Sequence, residues 1–211
     1  MPTYVYRFSE GTKDQNDLLG GKGANLAEMT RLGLPVPPGF TITTDACRAY
    51  LADGAVPDEL AVQVTTALRQ VEEELGRELG VAKNPLLVSV RSGAKFSMPG
   101  MMETVLNIGL NDESVEGLAE ASDDERFAWD SYRRLIQMFG KTVLDIDGEH
   151  FSEALDAKKA DRGVALDYEL DVAALKELVD EYKQIVLEQA GMEFPQDPRA
   201  QLDMATEAVF R

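Results

Sequence analysis

Reactive side chains are scarce in this sequence. Its 211 residues include one cysteine (Cys47), one histidine (His150) and one tryptophan (Trp129). A lone thiol closes no internal disulfide, which fits a reducing compartment and leads us to expect the cytoplasm. No apolar run approaches the ~18 residues of a membrane-spanning helix, so no membrane partner is expected. The N-terminal MPTYVYRFSEG lacks a basic segment followed by an apolar one and does not read as a signal peptide. Positive charge is also short. Lysine and arginine number 21 against 38 acidic residues, a net charge of −17. That balance excludes nonspecific attraction to nucleic acid or anionic lipid. Internal repeats and low-complexity segments are missing too.

The shortage of positive charge is uneven. Residues 1–110 carry 10 basic and 13 acidic side chains, whereas residues 111–211 carry 11 and 25. A polyanionic ligand therefore belongs with the first half, where local basic groups can outweigh the background. The acidity of the second half suits solubility or steering against another domain. Hydrophobic residues make up 44% of the chain and charged residues 28%, enough apolar material for a packed core.

Periodicity and punctuation predict an α+β chain, mixed at first and helical afterwards. Tyr4–Phe8 and Phe40–Thr43 read as extended. Leu26, Met29 and Leu32 recur at helical spacing after Gly20, Gly21 and Gly23, and Gly33 with Pro35, Pro37 and Pro38 ends that helix. Thr44 is expected to cap a short helix through Tyr50. Pro57, Asp58 and Glu59 open a helix that steps through Leu60, Val64, Leu68, Val71, Leu75 and Leu79. Leu86–Val90 reads as a buried strand and Glu103–Ile108 as another. Beyond residue 111, Trp129, Tyr132, Ile136, Phe139 and Val143 mark one apolar stripe, and Leu175, Leu178, Tyr182 and Ile185 a second. A final helical pattern runs through Leu202, Ala205 and Val209 with no stop signal, so the chain is expected to continue into a missing remainder. The boundaries drawn on this basis are 1–110, 111–196 and 197–211.

Two segments carry chemistry. LLGGKGANLAEM, residues 18–29, places Lys22 among glycines at a helix start. Backbone N–H groups there attract phosphate oxygens, and the ammonium adds a mobile charge. The segment is no Walker A loop, because Gly23 stands where that loop needs Ser or Thr. A glycine-rich turn with a surface lysine is the plainer reading. SVRSGAKFSMPGMMETVLN, residues 89–107, sets Arg91 directly after a strand, where its planar fork can meet phosphate oxygens. Ser92, Gly93, Ser97 and Gly100 supply small donors and flexibility. Met98, Met101 and Met102 offer soft apolar surface for a purine or a core gap. A structural hairpin with an exposed arginine is the alternative. His150, in DGEHFSEAL, reads as a surface or capping residue, and neighbouring Asp145, Asp147 and Glu149 as a solvated turn rather than a metal loop.

Both segments resemble the signature blocks of the pyruvate phosphate dikinase family, as do GLPVPPGFTITTDACRAYL, ERFAWDSYRRLIQMFG and FPQDPRAQL. The resemblance covers essentially the whole chain. Phosphoenolpyruvate synthases share the GGK and arginine themes but differ more around MPGMMETVLN. Glu103 departs from the aspartate expected at that position, with charge kept. The resemblance implies part of an ATP-grasp-like nucleotide domain. It implies ATP as substrate, magnesium held by acidic residues beyond residue 211, and a phosphohistidine domain and a pyruvate-binding barrel as partners in a homodimer. The family converts ATP, phosphate and pyruvate to AMP, pyrophosphate and phosphoenolpyruvate. Lys22 and Arg91 match its ATP-phosphate ligands. Arg134 matches a further phosphate-contacting arginine, with Arg133 beside it as a rival. Ser92, Ser97, Gly100 and Met101 fall within the nucleotide-binding block. A chain of this extent is expected to be inactive alone. The reading from another class is a free-standing acidic binding module.

Overall fold

Left-handed glycines end several helices of this chain, at Gly54, Gly76, Gly163 and Gly191. The structure, a computed structural model, describes residues 2–93 and 104–211. It is a mixed α/β arrangement, mostly helical, with two small sheets. Two compact units are present. One comprises residues 1–78, 91–103 and 209–211, and the other residues 79–90 and 104–208.

In the first unit, β1 (Val5–Arg7) pairs antiparallel with β2 (Phe40–Ile42), with Tyr6 opposite Thr41. Helix α1 (Asn16–Arg31) lies between them in sequence, and α2 (Thr44–Asp53) and α3 (Asp58–Leu75) follow. The cap of α2 is Thr43 rather than Thr44. Thr43 is extended and its hydroxyl accepts from Ala46 N, while Thr44 is already helical. Helix α3 starts after Pro57 and buries Leu60, Val64, Ala67, Leu68 and Val71. It is shorter than the apolar steps suggested. Gly76 adopts a left-handed cap at φ 62°, leaving Leu75 exposed at the last turn and Leu79 outside the helix. Gln63 of α3 reaches β1, where its Oε1 accepts from Tyr4 N at 2.7 Å and Val5 N at 3.1 Å.

Helix α1 buries a different face from the one its large apolar residues mark. Met29 and Leu32 are exposed, whereas Leu19, Gly23, Ala24 and Ala27 are buried. The cause is close approach. A Cβ on Gly23 would stand 2.7 Å from Thr41 Cγ2 and 2.8 Å from its Oγ1, so only small residues fit against β2.

The second unit contains most of β3 (Val88–Arg91) and its partner β4 (Thr104–Ile108), then α4 (Ser114–Ser122), α5 (Glu125–Thr142), α6 (Gly148–Arg162), α7 (Val172–Ala190) and most of α8 (Pro198–Phe210). The LLVSV run is not a fully buried strand. Leu86 is buried in a bridge to Leu79, and the strand itself alternates between half-buried and exposed positions. Helix α5 packs on β4, α4 and α7. Tyr132, Leu135, Ile136 and Phe139 on it have no exposed surface, as expected for a buried helix. On α7 the stripe holds at Leu175, Leu178 and Tyr182, but Val186 takes the buried place expected of Ile185.

Gln201 of α8 satisfies this unit's turn backbone. Its Oε1 accepts from Gly109 N at 2.9 Å, and its Nε2 donates to Leu110 O at 2.9 Å and Pro195 O at 2.8 Å. Such pairing, together with the packing of β4 on α5, groups residues 104–110 and most of α8 with the helices. The two compact units change over between residues 78 and 79, 90 and 91, 103 and 104, and 208 and 209. His150 is exposed in the first turn of α6, where Asp147 provides the cap by accepting from Glu149 N at 3.0 Å.

Candidate functional site

The site is assembled in the first unit from the start of the Lys22 helix and the exit of β3. Gly20 interrupts α1 at φ 68° and ψ 167°, a region open essentially to glycine alone. Lys22 thus opens a new helical stretch, as the glycine spacing suggested. The break has a second cause. A Cβ on Gly20 would lie 2.0 Å from the Gly93 carbonyl oxygen, so the two backbones touch where a side chain is impossible.

Lys22 spans the same junction. Its Nζ donates to the Ser92 carbonyl oxygen at 3.0 Å, across 70 residues of sequence. The side chain is half-buried, which strengthens its field over that of a fully solvated lysine. Arg91 immediately precedes Ser92 and is exposed at the end of β3. The two basic residues singled out in separate motifs are therefore joined through Ser92. The Ser92 hydroxyl oxygen is buried and has no hydrogen-bond partner among the described residues. Leaving a buried hydroxyl unsatisfied costs about 1–3 kcal/mol. Ser97, Gly100 and Met101 lie outside the described residues.

The rival arginines of α5, in the second unit, differ sharply. Arg133 is 3% exposed, and its Nε and Nη2 both donate to Asp130 Oδ1, at 2.9 and 2.8 Å. Burial acts to lower its pKa, but the Asp130 carboxylate outweighs this and holds it above the usual guanidinium value. Arg134 is 58% exposed, with Nε 2.9 Å from Asp130 Oδ2. Arg134 is thus the member of the pair that faces solvent. The Asp130 link escaped the sequence reading, although carboxylate and arginines stand at the i, i+3 and i+4 spacing of helical ion pairs.

No group of three or more His, Cys, Asp or Glu side chains among the described residues is disposed to hold a metal. Among the described residues, no helix is long and apolar enough to cross a membrane.

The sequence matches a known family. A family model described as "Pyruvate phosphate dikinase, AMP/ATP-binding domain" matches residues 16–67 and 53–136, more than half of the chain. This chain belongs to that family. Among its relatives, the pyruvate, phosphate dikinase of Clostridium symbiosum is 49% identical over 213 residues, covering 100% of this chain and 24% of the relative. That of Rhizobium meliloti (strain 1021) is 51% identical over 215 residues, again covering 100% and 24%. The chloroplastic enzyme of Flaveria pringlei is 54% identical over 203 residues, covering 96% and 21%. The chain therefore spans about a quarter of the length of these pyruvate phosphate dikinase relatives.

Proposed function

We propose that this chain supplies phosphate-binding residues to the nucleotide site of a pyruvate phosphate dikinase, with Lys22 and Arg91 as ligands of the ATP phosphates. The contact between Lys22 Nζ and the Ser92 carbonyl carries the reading, because it unites two glycine-bearing basic segments at one place. Phosphoryl transfer depends mainly on positioning and charge neutralisation, and these side chains are suited to both. On ATP binding, Lys22 exchanges a carbonyl partner for a phosphate oxygen, and the Arg91 fork takes a second. The Ser92 hydroxyl donates a further hydrogen bond. Ser97, Gly100 and Met101 complete the nucleotide contacts, and exposed Arg134 adds a cation from α5.

In this reading the chain is part of an ATP-grasp-like domain of a cytoplasmic, homodimeric enzyme. That enzyme converts ATP, phosphate and pyruvate to AMP, pyrophosphate and phosphoenolpyruvate, using magnesium bound elsewhere. Its other partners are a domain that carries the phosphorylated histidine and a pyruvate-binding barrel. Titration of the purified chain with ATP tests the assignment. Arg91→Ala weakens binding about tenfold or more, the scale of a lost charge-assisted hydrogen bond. Affinity equal to wild type sinks the site.

A further inference from the structure

Three arginines occur on α5, and two are consumed internally. Arg126 donates from Nε to Leu170 O at 2.9 Å and from Nη2 to Asp167 O at 2.7 Å. Arg133 is buried, and its third nitrogen, Nη1, donates to Gln137 Oε1 at 3.2 Å. Arg134 is the exposed one. Asp130 stands one helical turn before both members of the pair and is itself only 13% exposed. Its two oxygens are divided between them: Oδ1 is chelated by Arg133, and Oδ2 meets Arg134 Nε.

This arrangement has a direction. One carboxylate faces two guanidinium groups, so the trio carries a net positive charge. Arg133 is inside and fully engaged, which leaves that charge on the exposed Arg134. The Arg133 chelate also fixes the plane of the Asp130 carboxylate. A fixed carboxylate restrains a long side chain that would otherwise sample many rotamers. Arg134 meets Asp130 through Nε while its side chain remains 58% exposed, and an exposed guanidinium fork suits bidentate binding of phosphate.

We infer that Asp130 is a positioning residue. Locked by buried Arg133, it holds the Arg134 guanidinium in place for an ATP phosphate. The inference rests on the proposed phosphate role of Arg134. Buried Arg133 thereby serves the site without touching the nucleotide.

The test is a double-mutant cycle read by nucleotide titration. ATP and adenosine are each titrated into wild type, Asp130→Asn, Arg134→Ala and the double variant. Asp130→Asn is expected to weaken ATP binding about fivefold, the scale of one net hydrogen bond, and to leave adenosine binding unchanged. In the Arg134→Ala background the same substitution is expected to have no further effect on ATP. Equal losses in both backgrounds overturn the inference, as does a loss shared by adenosine. If Arg134→Ala weakens ATP binding while Asp130→Asn does not, the positioning role fails and the phosphate role stands. If Arg134→Ala leaves ATP binding unchanged, both fail. Should Asp130→Asn not fold, Asp130→Glu replaces it. That variant keeps the charge but displaces the carboxylate by one methylene, and a selective loss for ATP is again expected. Unchanged ATP affinity in a folded Asp130→Glu protein counts against the inference.

Discussion

The two units bury different kinds of side chain. The second encloses Tyr132, Phe139, Phe151 and Tyr182 with no exposed surface, alongside Ile108, Leu135, Leu175 and Leu178. Among the largest fully buried side chains of the described residues, only Leu60 comes from the first unit. The first unit instead buries glycine and alanine along α1 and leaves Met29, Leu32, Leu34, Leu51 and Val62 exposed. Large interlocking side chains give a rigid scaffold. Small ones let backbones approach each other, which a phosphate site requires. Stability should thus be concentrated in the second unit and ligand sensitivity in the first.

Truncation in the aromatic core should break this comparison most forcefully. Phe139 packs edge-on against Phe194, with ring centroids 5.5 Å apart. Phe139→Ala is expected to cost about 3–5 kcal/mol in denaturant unfolding, with transfer and cavity terms combined. A loss no greater than that of a surface substitution would remove the distinction between the units.

Gly20→Ala comes next. It forces a side chain into a left-handed conformation and against the Gly93 carbonyl. A destabilisation of about 1–3 kcal/mol is expected, together with weaker ATP binding because Lys22 is displaced. Gly54→Ala provides the contrast. Its φ of 69° is also positive, in the milder left-handed helical region, and no atom lies within 4 Å of the added Cβ. Loss of ATP affinity in the Gly54 variant and not in the Gly20 variant would refute the role given to the junction.

A smaller effect is expected at alkaline pH. Burial raises the Tyr132 phenol well above its usual value of 10.0, and the Asp112 carboxylate adds to this, while the hydrogen bond from Gln196 opposes it. The folded-state pKa is the higher one. The resulting stability is therefore fully present below about pH 10 and is lost as pH rises toward the folded value. Unfolding midpoints followed above that pH should fall in wild type and fall less steeply in Tyr132→Phe. Parallel slopes would contradict the assignment. The smallest expected change is at Leu32, which is 68% exposed. Leu32→Ser should alter stability by less than about 0.5 kcal/mol, even though the helical spacing marks it as core.

Leu32 also shows where the sequence could be read and where it could not. Helical spacing located α1 but does not show which face it buries, because hydrophobicity tracks size and this helix packs by smallness. Leu79 was misplaced for a local reason, since the left-handed cap at Gly76 ends α3 while the apolar steps continue. Lys22 and Arg91 stand out in the sequence because glycines and a strand end have local signatures. Their meeting through Ser92 was not, since it depends on chain return over 70 residues. The return of Gln201 to Gly109 and Leu110 was invisible for the same reason, and with it the unit boundaries. The division of labour between Arg133 and Arg134 needed side-chain geometry, because both stand at helical spacing from Asp130.

The most direct test of the junction is Lys22→Ala. ATP and adenosine would be titrated into wild type and variant, with unfolding midpoints measured on the same preparations. ATP affinity is expected to fall about tenfold or more, with adenosine binding and stability nearly unchanged. Equal ATP affinity in a folded Lys22→Ala protein would contradict the claim that this lysine and the Arg91–Gly93 segment form a phosphate site.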